Sequence, residues 1–295
     1  ADTIVVDLGT ATTFDCISAD GVFVGGVISP GVNTGAETLV RRTARLPRIE
    51  LEPPPGVIGR PTGTAPPSRI FFGAVDAVDG IDRVRYTSPH PKDMREDVIR
   101  AHAELPSVCP HIHLPLQSGS SRVLKAMRRT YDRERYMDRV ALIREIVPDC
   151  SITTDIIVGF PGETEAEFEE TLEVVEAVEY DSAFTFVFSP RRGTAAAELD
   201  GQLSHDVKRE RMDRLVEAVQ RLALKRAQRF VGRTVEVLVE GPSRTDPSRL
   251  RGRSGHGKTV HFEGLAQAGE MASVEVLSAR SQTLAGQEPV LARLR

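Results

Sequence analysis

The sequence predicts an α/β protein that ends in a small all-β domain. Strand-like and helix-like segments alternate four times between Arg83 and about Phe230, which is the rhythm of a parallel sheet, either open or part of a barrel. Short alternating strands with glycine turns follow, the pattern of a small β-barrel. At 295 residues the chain is long enough for more than one core. We predict domains at residues 1–80, 81–231 and 232–295.

The composition is that of an ordinary globular protein, with 40% hydrophobic and 27% charged residues. No segment reaches the roughly 18 apolar residues of a membrane span, and no signal peptide is recognised, so we expect a cytoplasmic protein without membrane contact. The cysteines Cys16, Cys109 and Cys150 are far apart and odd in number, which indicates unpaired thiols in a reducing compartment.

The first 30 residues contain three predicted strands, TIVVDLG, TTFDCIS and VFVGGVIS, and a helix is predicted from Asn33 to about Leu46. Polar residues around the first glycine turn include Asp7 and Thr10. Such a turn can offer N–H groups and hydroxyls to a phosphate, while a carboxylate holds its cation. A hairpin capped by threonines is the alternative interpretation.

The motifs DLGTATTFD and GGVISPG resemble type III pantothenate kinases of the actin-like ATPase superfamily. The resemblance covers about residues 1–80 and implies an actin-like (ribonuclease H-like) fragment that binds ATP and a monovalent cation. The family's phosphate loop and general-base aspartate have no counterpart, so we do not expect phosphoryl transfer. The positions that the resemblance implies are Asp7 for the cation, Thr10 for ATP, Gly25 and Gly26 near the adenosine, and Thr62 for pantothenate.

The stretch TTDIIVGFPGETEAE combines a strand, a glycine turn and a capped helix. Its β-branched run ends at Gly159, and Thr164 stands three residues before Glu167, the spacing of a capping box. Ligands of α/β folds bind at such junctions, at the carboxyl end of a parallel strand. An ordinary βα turn is the alternative interpretation.

Further polar residues stand where predicted strands end, so we expect them along one rim of the sheet. A histidine in an apolar strand, such as His113, is more often a hydrogen-bonded core residue than a ligand or base. Asp155 adjoins an apolar run and needs a partner. The rim residues are His113, Gln117, Ser118, Ser120, Asp155, Glu163, Thr164, Ser189 and Arg191.

Four motifs carry a second resemblance: TSPHPKD, HLPLQSGSSRVLKAMRRTY, DIIVGFPGETEAEFEETL and FTFVFSPRRGTAAA. In this order they resemble the MiaB-type radical-SAM tRNA methylthiotransferases from about Gly80 onward. The resemblance implies a partial radical-SAM (βα) barrel, S-adenosylmethionine as cofactor, and 2-methylthiolation of an isopentenylated adenosine in tRNA. The implied cofactor-binding residues are Gln117, Ser118, Asp155, Gly159, Phe160, Pro161, Gly162 and Glu163.

The cysteine pattern departs from that family. Its members hold a [4Fe-4S] cluster with CxxxCxxC and a second cluster with three further cysteines, and neither pattern occurs here. Cys109 and Cys150 cannot replace three closely spaced thiolates. We therefore expect no metal site, no radical chemistry by this chain alone, and open sheet edges that favour association with another chain. A chimera of two truncated genes, or a joining error in the sequence, would explain both resemblances.

The helix predicted from His205 to Phe230 carries eight basic and four acidic residues. We expect a solvated charged face and a buried stripe. That stripe comprises Val207, Met212, Leu215, Val219 and Leu222.

The C-terminal segment resembles the TRAM domain that ends the methylthiotransferases, which implies tRNA as partner. Phe262 is its one aromatic residue within the predicted strands, so we expect recognition of RNA backbone and shape more than base stacking. The residues that we expect to contact RNA phosphates are Arg244, Arg249, Arg251, Arg253 and Lys258.

The leading hypothesis is thus a methylthiotransferase-type substrate half that binds S-adenosylmethionine and tRNA. The alternatives are a non-catalytic RNA-binding remnant and an ATP-dependent pantothenate kinase of coenzyme A biosynthesis. Under the leading hypothesis, a partner chain could supply the missing cluster-binding portion.

Overall fold

A computed structural model describes residues 3–8, 11–17, 23–30, 67–87, 90–190, 196, 198–244 and 246–289, with side chains from Phe72 onward. The helix predicted from Asn33, together with Thr10, Thr62 and Arg191, lies outside these ranges. Within them, no helix has the length and apolar composition needed to cross a membrane.

The three predicted N-terminal strands are observed, and they form an antiparallel meander. They are β1 (Thr3–Leu8), β2 (Ala11–Ile17) and β3 (Phe23–Pro30). After helix α1 (Pro67–Asp76), β1 pairs in parallel with the two-residue strand β4 (Tyr86–Thr87). The meander therefore covers one edge of β4, which would otherwise present unpaired backbone groups.

The middle section confirms the predicted alternation of strand and helix, and its sheet β5-β6-β7 is parallel. The segment HIHLPLQSGS is a regular strand only up to His113, shorter than predicted, because Pro115 has no N–H for the ladder, and an isolated parallel bridge between Gln117 and Ile156 follows. Its elements are α2 (Glu96–Glu104), β5 (His111–His113), α3 (Ser121–Ala126), α4 (Arg133–Ile146), β6 (Ser151–Val158), α5 (Glu165–Val178), β7 (Ser182–Val187) and α6 (His205–Gln228).

One face of this sheet is buried under the helices. Alternate residues of β6, such as Ile152 and Ile156, belong to a continuous apolar core with the predicted face of α4 and with Phe168 of α5. The prediction for α6 was wrong at Val207, which is 39% exposed. One turn later Arg211 is buried instead, because it pairs with a carboxylate.

The C-terminal section is a closed five-stranded barrel in the order β10-β12-β11-β8-β9, as its pattern predicts. Four strands were recognised from the sequence, and β12 was missed because TLAGQ lacks large alternating apolar side chains. The strands are β8 (Thr234–Pro242), β9 (Leu250–Ser254), β10 (Thr259–Glu263), β11 (Met271–Ala279) and β12 (Thr283–Gln287).

Polar contacts join the barrel to the middle section. Arg83 donates a 2.5 Å hydrogen bond to the Arg253 carbonyl, and Arg233 lies 2.7 Å from an Asp149 carboxylate oxygen. The Lys258 ammonium donates to the Asp181 carbonyl at 2.7 Å. The barrel is therefore docked through ion pairs and carbonyls as well as through apolar packing.

Candidate functional site

The sheet face opposite the helices, here called the inner face, carries a polar and aromatic surface. Pairing in the sheet brings Thr153 beside His113, Asp155 beside Phe184, and Ile157 beside Phe186. Phe184 and Phe186 are 61% and 51% exposed. Exposed large aromatic side chains in one patch mark a surface suited to binding.

His113 and Asp155 form a pair on the inner face. The His113 Nε2 atom lies 3.3 Å from Asp155 Oδ2, and its Nδ1 atom lies 3.0 Å from the Thr153 hydroxyl. This confirms that His113 is a hydrogen-bonded buried residue and that Asp155 has a partner. Because the Asp155 side chain keeps 25% exposure, its carboxylate can still accept a hydrogen bond from a ligand.

Gln117 and Ser118 stand beside this pair, in the loop after β5. Gln117 has φ of 67°, and its backbone N–H donates to the Asp155 carbonyl at 2.8 Å while its carbonyl accepts from Ile157 at 2.9 Å. Both residues are buried. The loop is therefore held against β6 at the point where the sequence places the candidate site.

The segment Gly159 to Glu163, here called the glycine turn, is folded onto itself. The Gly159 N–H donates to the Glu163 carboxylate at 2.8 Å, and the Glu163 N–H donates to the Phe160 carbonyl at 2.9 Å. The Gly162 N–H donates to the Gly201 carbonyl at 2.8 Å. These three N–H groups donate to acceptors within the protein, so they are not free to bind a ligand. The turn would therefore contact a ligand through its surface more than through these N–H groups.

Arg211 of α6 holds the turn in place and was not recognised from the sequence. Its Nη1 atom lies 2.7 Å from the Glu163 carboxylate and also donates to the Glu163 carbonyl at 3.1 Å. Burial raises the pKa of Glu163, whereas the Gly159 N–H and the Arg211 charge oppose that rise. We therefore assign the Glu163 side chain a positioning role within the turn.

The predicted capping box at the start of α5 is confirmed. Thr164 is the N-cap residue, and Glu167 accepts from the Thr164 N–H at 2.8 Å. Arg122 binds the same carboxylate and lowers the pKa of Glu167 to about 2. Ser120 is the N-cap residue of α3 but its side chain makes no capping bond, and its hydroxyl donates to Glu167. Ser189 is exposed.

An iron–sulfur cluster does not fit the part of the chain that the structure describes. No group of three histidine, cysteine, aspartate or glutamate side chains there is arranged to hold a metal ion. Cys109 and Cys150 are both free and buried, and burial raises the pKa of Cys150 to about 12. Cys16 lies in β2, and its side chain is not described.

The predicted RNA contacts on the barrel are only partly available. Lys258 was expected to contact RNA phosphates, but it is only 4% exposed. Its ammonium group donates to the carbonyls of Asp181 and Ser281 at the junction with the middle section. Arg251 and Arg253 both lie near Glu240, at 3.2 and 3.6 Å.

Arg244 and Arg249 are the remaining predicted contacts, and the Arg249 side chain is about as exposed as that of Arg253, at 38% against 40%. Arg244 is exposed, and Arg249 forms ion pairs with Asp246 and Glu263 at the barrel surface. A groove of about 460 Å³ beside Arg249 also contains Arg280, which was not predicted.

Comparisons with known proteins match different parts of the chain. Residues 1–83 match the family model of type III pantothenate kinases, and residues 228–287 match the TRAM domain. A tRNA-2-methylthio-N(6)-dimethylallyladenosine synthase from Clostridium botulinum is 49% identical over 215 residues, which are 72% of this chain and 48% of that protein. The enzyme of that name from Moorella thermoacetica is 47% identical over 214 residues, with the same coverage of both chains.

The chain therefore spans about half the length of the curated relatives it matches. These matches confirm both resemblances that the motifs predicted. Among solved structures, coproporphyrinogen III oxidase (HemN) from Escherichia coli, a radical SAM enzyme, aligns with 46% of this chain and 31% of its own, at 21% identity and a TM-score of 0.38. A likeness at that level does not establish a shared fold.

Proposed function

We propose that residues from about 80 to 295 form the substrate-side half of a tRNA methylthiotransferase. The observation that carries this proposal is the 49% identity over 215 residues with an enzyme of that name. The inner face and the glycine turn would bind S-adenosylmethionine, and the barrel would bind tRNA. The described cysteines do not fit the cluster, so catalysis would need cluster ligands from outside these residues.

Two features support a cofactor site on the inner face. The Asp155 carboxylate is partly exposed, and Phe184 offers an aromatic surface beside it. Aromatic surface suits an adenine ring, and a carboxylate suits the N–H and O–H donors of an adenosine. When bound, S-adenosylmethionine supplies an activated sulfonium group; this chain would orient it.

Equilibrium dialysis with S-adenosylmethionine tests this site. We expect saturable binding by the full chain and a loss of about tenfold in affinity for Asp155→Asn, since a charged acceptor is removed. Glu176→Gln serves as the control, because Glu176 is exposed on α5 and pairs with Arg221 at the surface, away from the glycine turn. Equal affinity of the wild type and Asp155→Asn would remove Asp155 from the site.

ATP binding by the first 80 residues is a second candidate function, supported by the match of residues 1–83 to pantothenate kinases. The implied contacts are Asp7, Thr10, Gly25, Gly26 and Thr62, with a monovalent cation at Asp7. Dialysis against labelled ATP, with and without potassium, tests it. Potassium-dependent binding that Asp7→Asn abolishes would support this candidate, and the absence of binding would reject it.

A further inference from the structure

We infer that a groove on the outside of the barrel binds one nucleotide of single-stranded RNA, with its phosphate between Arg249 and Arg280. This inference rests on the proposed binding of tRNA and names the site for it. The groove residues are Ser243, Asp246, Arg249, His261, Ser278, Arg280, Thr283, Leu284 and Ala285, and this set is called the barrel groove below.

Strand pairing explains why a depression forms here. Ala285 of β12 lies between His261 of β10 and Ser278 of β11. These positions alternate with buried residues such as Leu284, so they point outward from the barrel. Alanine and serine are short, which leaves a space of about 460 Å³ on the surface. Small-molecule sites commonly measure about 300–1,000 Å³.

Two arginines give the barrel groove its chemistry. Arg280 is exposed, and no ion pair of its side chain is found among the described residues. Arg249 is paired with Asp246 at 3.6 Å and with Glu263 at 3.2 Å, and both carboxylates are at least half exposed. Exposed ion pairs contribute little to stability, so Arg249 can exchange them for a phosphate. Guanidinium groups bind phosphate oxygens through two parallel hydrogen bonds.

The rest of the barrel groove suits a ribose and a base. His261 is held by a 3.1 Å hydrogen bond between its Nδ1 atom and the Ser243 hydroxyl. An ordered imidazole ring is a surface on which unstacked RNA bases are commonly bound. The hydroxyls of Ser278 and Thr283 can donate to and accept from a 2′-hydroxyl or a base edge. These groups read a separated nucleotide, whereas a duplex keeps its bases stacked.

The other basic residues that we expected to contact RNA lie outside the barrel groove. Glu240 lies close to both Arg251 and Arg253, and Lys258 is buried. The barrel groove therefore brings two arginines together with hydroxyl groups and a histidine at one accessible place.

Fluorescence anisotropy of the full chain with a labelled single-stranded RNA hexamer, in a salt titration, tests the site. Arg280→Ala should weaken binding about fivefold or more and make the slope of log K against log salt shallower by about 0.7, the value for one single-strand phosphate contact. Ser278→Trp should also weaken binding, because it fills the barrel groove and leaves its charges unchanged. Leu277→Trp is the matched control, since Leu277 is an exposed neighbour outside the barrel groove.

Arg280 and Ser278 are exposed, so neither variant should alter the melting temperature. If the wild type binds the hexamer and both groove variants bind it with the same affinity, the barrel groove is not the RNA site. Binding of tRNA through another surface would then still be possible. If the wild-type chain binds neither the hexamer nor tRNA, the proposed function and the barrel groove both fail.

Discussion

Arg211 and Glu163 form a buried ion pair 48 positions apart in the sequence, with 2.7 Å between Arg211 Nη1 and Glu163 Oε2. Their side chains are only 4% and 1% exposed. The carboxylate also accepts from the Gly159 N–H, so this pair connects α6 to the backbone of the glycine turn. The conformation of the candidate cofactor loop therefore depends on a helix that follows it in the sequence.

Removing one member of this pair should destabilise the protein. Arg211→Met leaves the Glu163 carboxylate buried without its countercharge, and we expect the free energy of unfolding to fall by about 3–5 kcal/mol. Urea denaturation followed by circular dichroism measures it. Arg221→Met is the control, because Arg221 pairs with Glu176 at the surface, where a loss of about 1 kcal/mol or less is expected. Equal losses for the two variants would contradict this role of Arg211.

The two glycines of the turn should respond differently to alanine. Gly159 and Gly162 have φ of 74° and 73°, a conformation that costs a residue with a Cβ atom about 1–2 kcal/mol. At Gly159 the new Cβ atom would also lie 2.5 Å from Lys208 Cγ, whereas Gly162 has open space. We expect Gly159→Ala to lower the melting temperature more than Gly162→Ala. Equal decreases would show that the Lys208 side chain moves aside freely, and the reverse order would contradict the prediction.

Stability should fall in mildly acidic solution because of His102. Its Nδ1–H donates to the Cys109 carbonyl at 2.7 Å, so Nε2 accepts from the Tyr86 hydroxyl at 2.6 Å and the ring is neutral. Burial lowers the pKa of His102 to about 4. Below about pH 6.5 the unfolded chain binds a proton that the folded chain refuses until about pH 4, so stability is lost across that interval.

Urea denaturation at successive pH values from 7 to 4 checks this prediction. His102→Gln retains a side chain able to donate and accept hydrogen bonds but cannot titrate, so it should flatten the pH dependence. An unchanged slope in this variant would assign the acid sensitivity to other groups.

Lys258 should matter for the barrel junction and not for RNA. Its ammonium group donates to the Asp181 and Ser281 carbonyls, and burial lowers its pKa to about 8. Lys258→Met should lower the melting temperature, because two buried carbonyls lose their donor. The folded variant should bind the RNA hexamer with wild-type affinity, in contrast to Arg280→Ala. A large loss of RNA affinity without a change in melting would restore Lys258 as an RNA contact.

Local signals in the sequence predicted much of the fold. The capping box of Thr164 and Glu167 and the apolar spacing of α4 depend on residues a few positions apart, and both are observed. The sequence predicts that Asp155 needs a partner but does not show which residue it is. His113 comes close to Asp155 only because β5 and β6 pair in parallel.

Other features depend on contacts that no local pattern encodes. A basic residue in a charged helix is usually solvated, so the burial of Arg211 becomes apparent only once α6 packs beside the glycine turn. The sequence predicts Lys258 as an exposed lysine in a hairpin. Its burial depends on the contact between the barrel and Asp181, which no local pattern indicates. The barrel groove could not be predicted either, because it is formed partly by β12, whose short side chains do not show the pattern of a strand.

The proposed binding of tRNA does not require an iron–sulfur cluster. Titration of the purified, iron-free full chain into labelled tRNA tests it most directly, with the salt concentration varied from about 50 to 200 mM. We expect saturable binding that weakens steeply with salt. If the chain does not bind tRNA even at the lowest of these salt concentrations, the proposed binding of tRNA is contradicted.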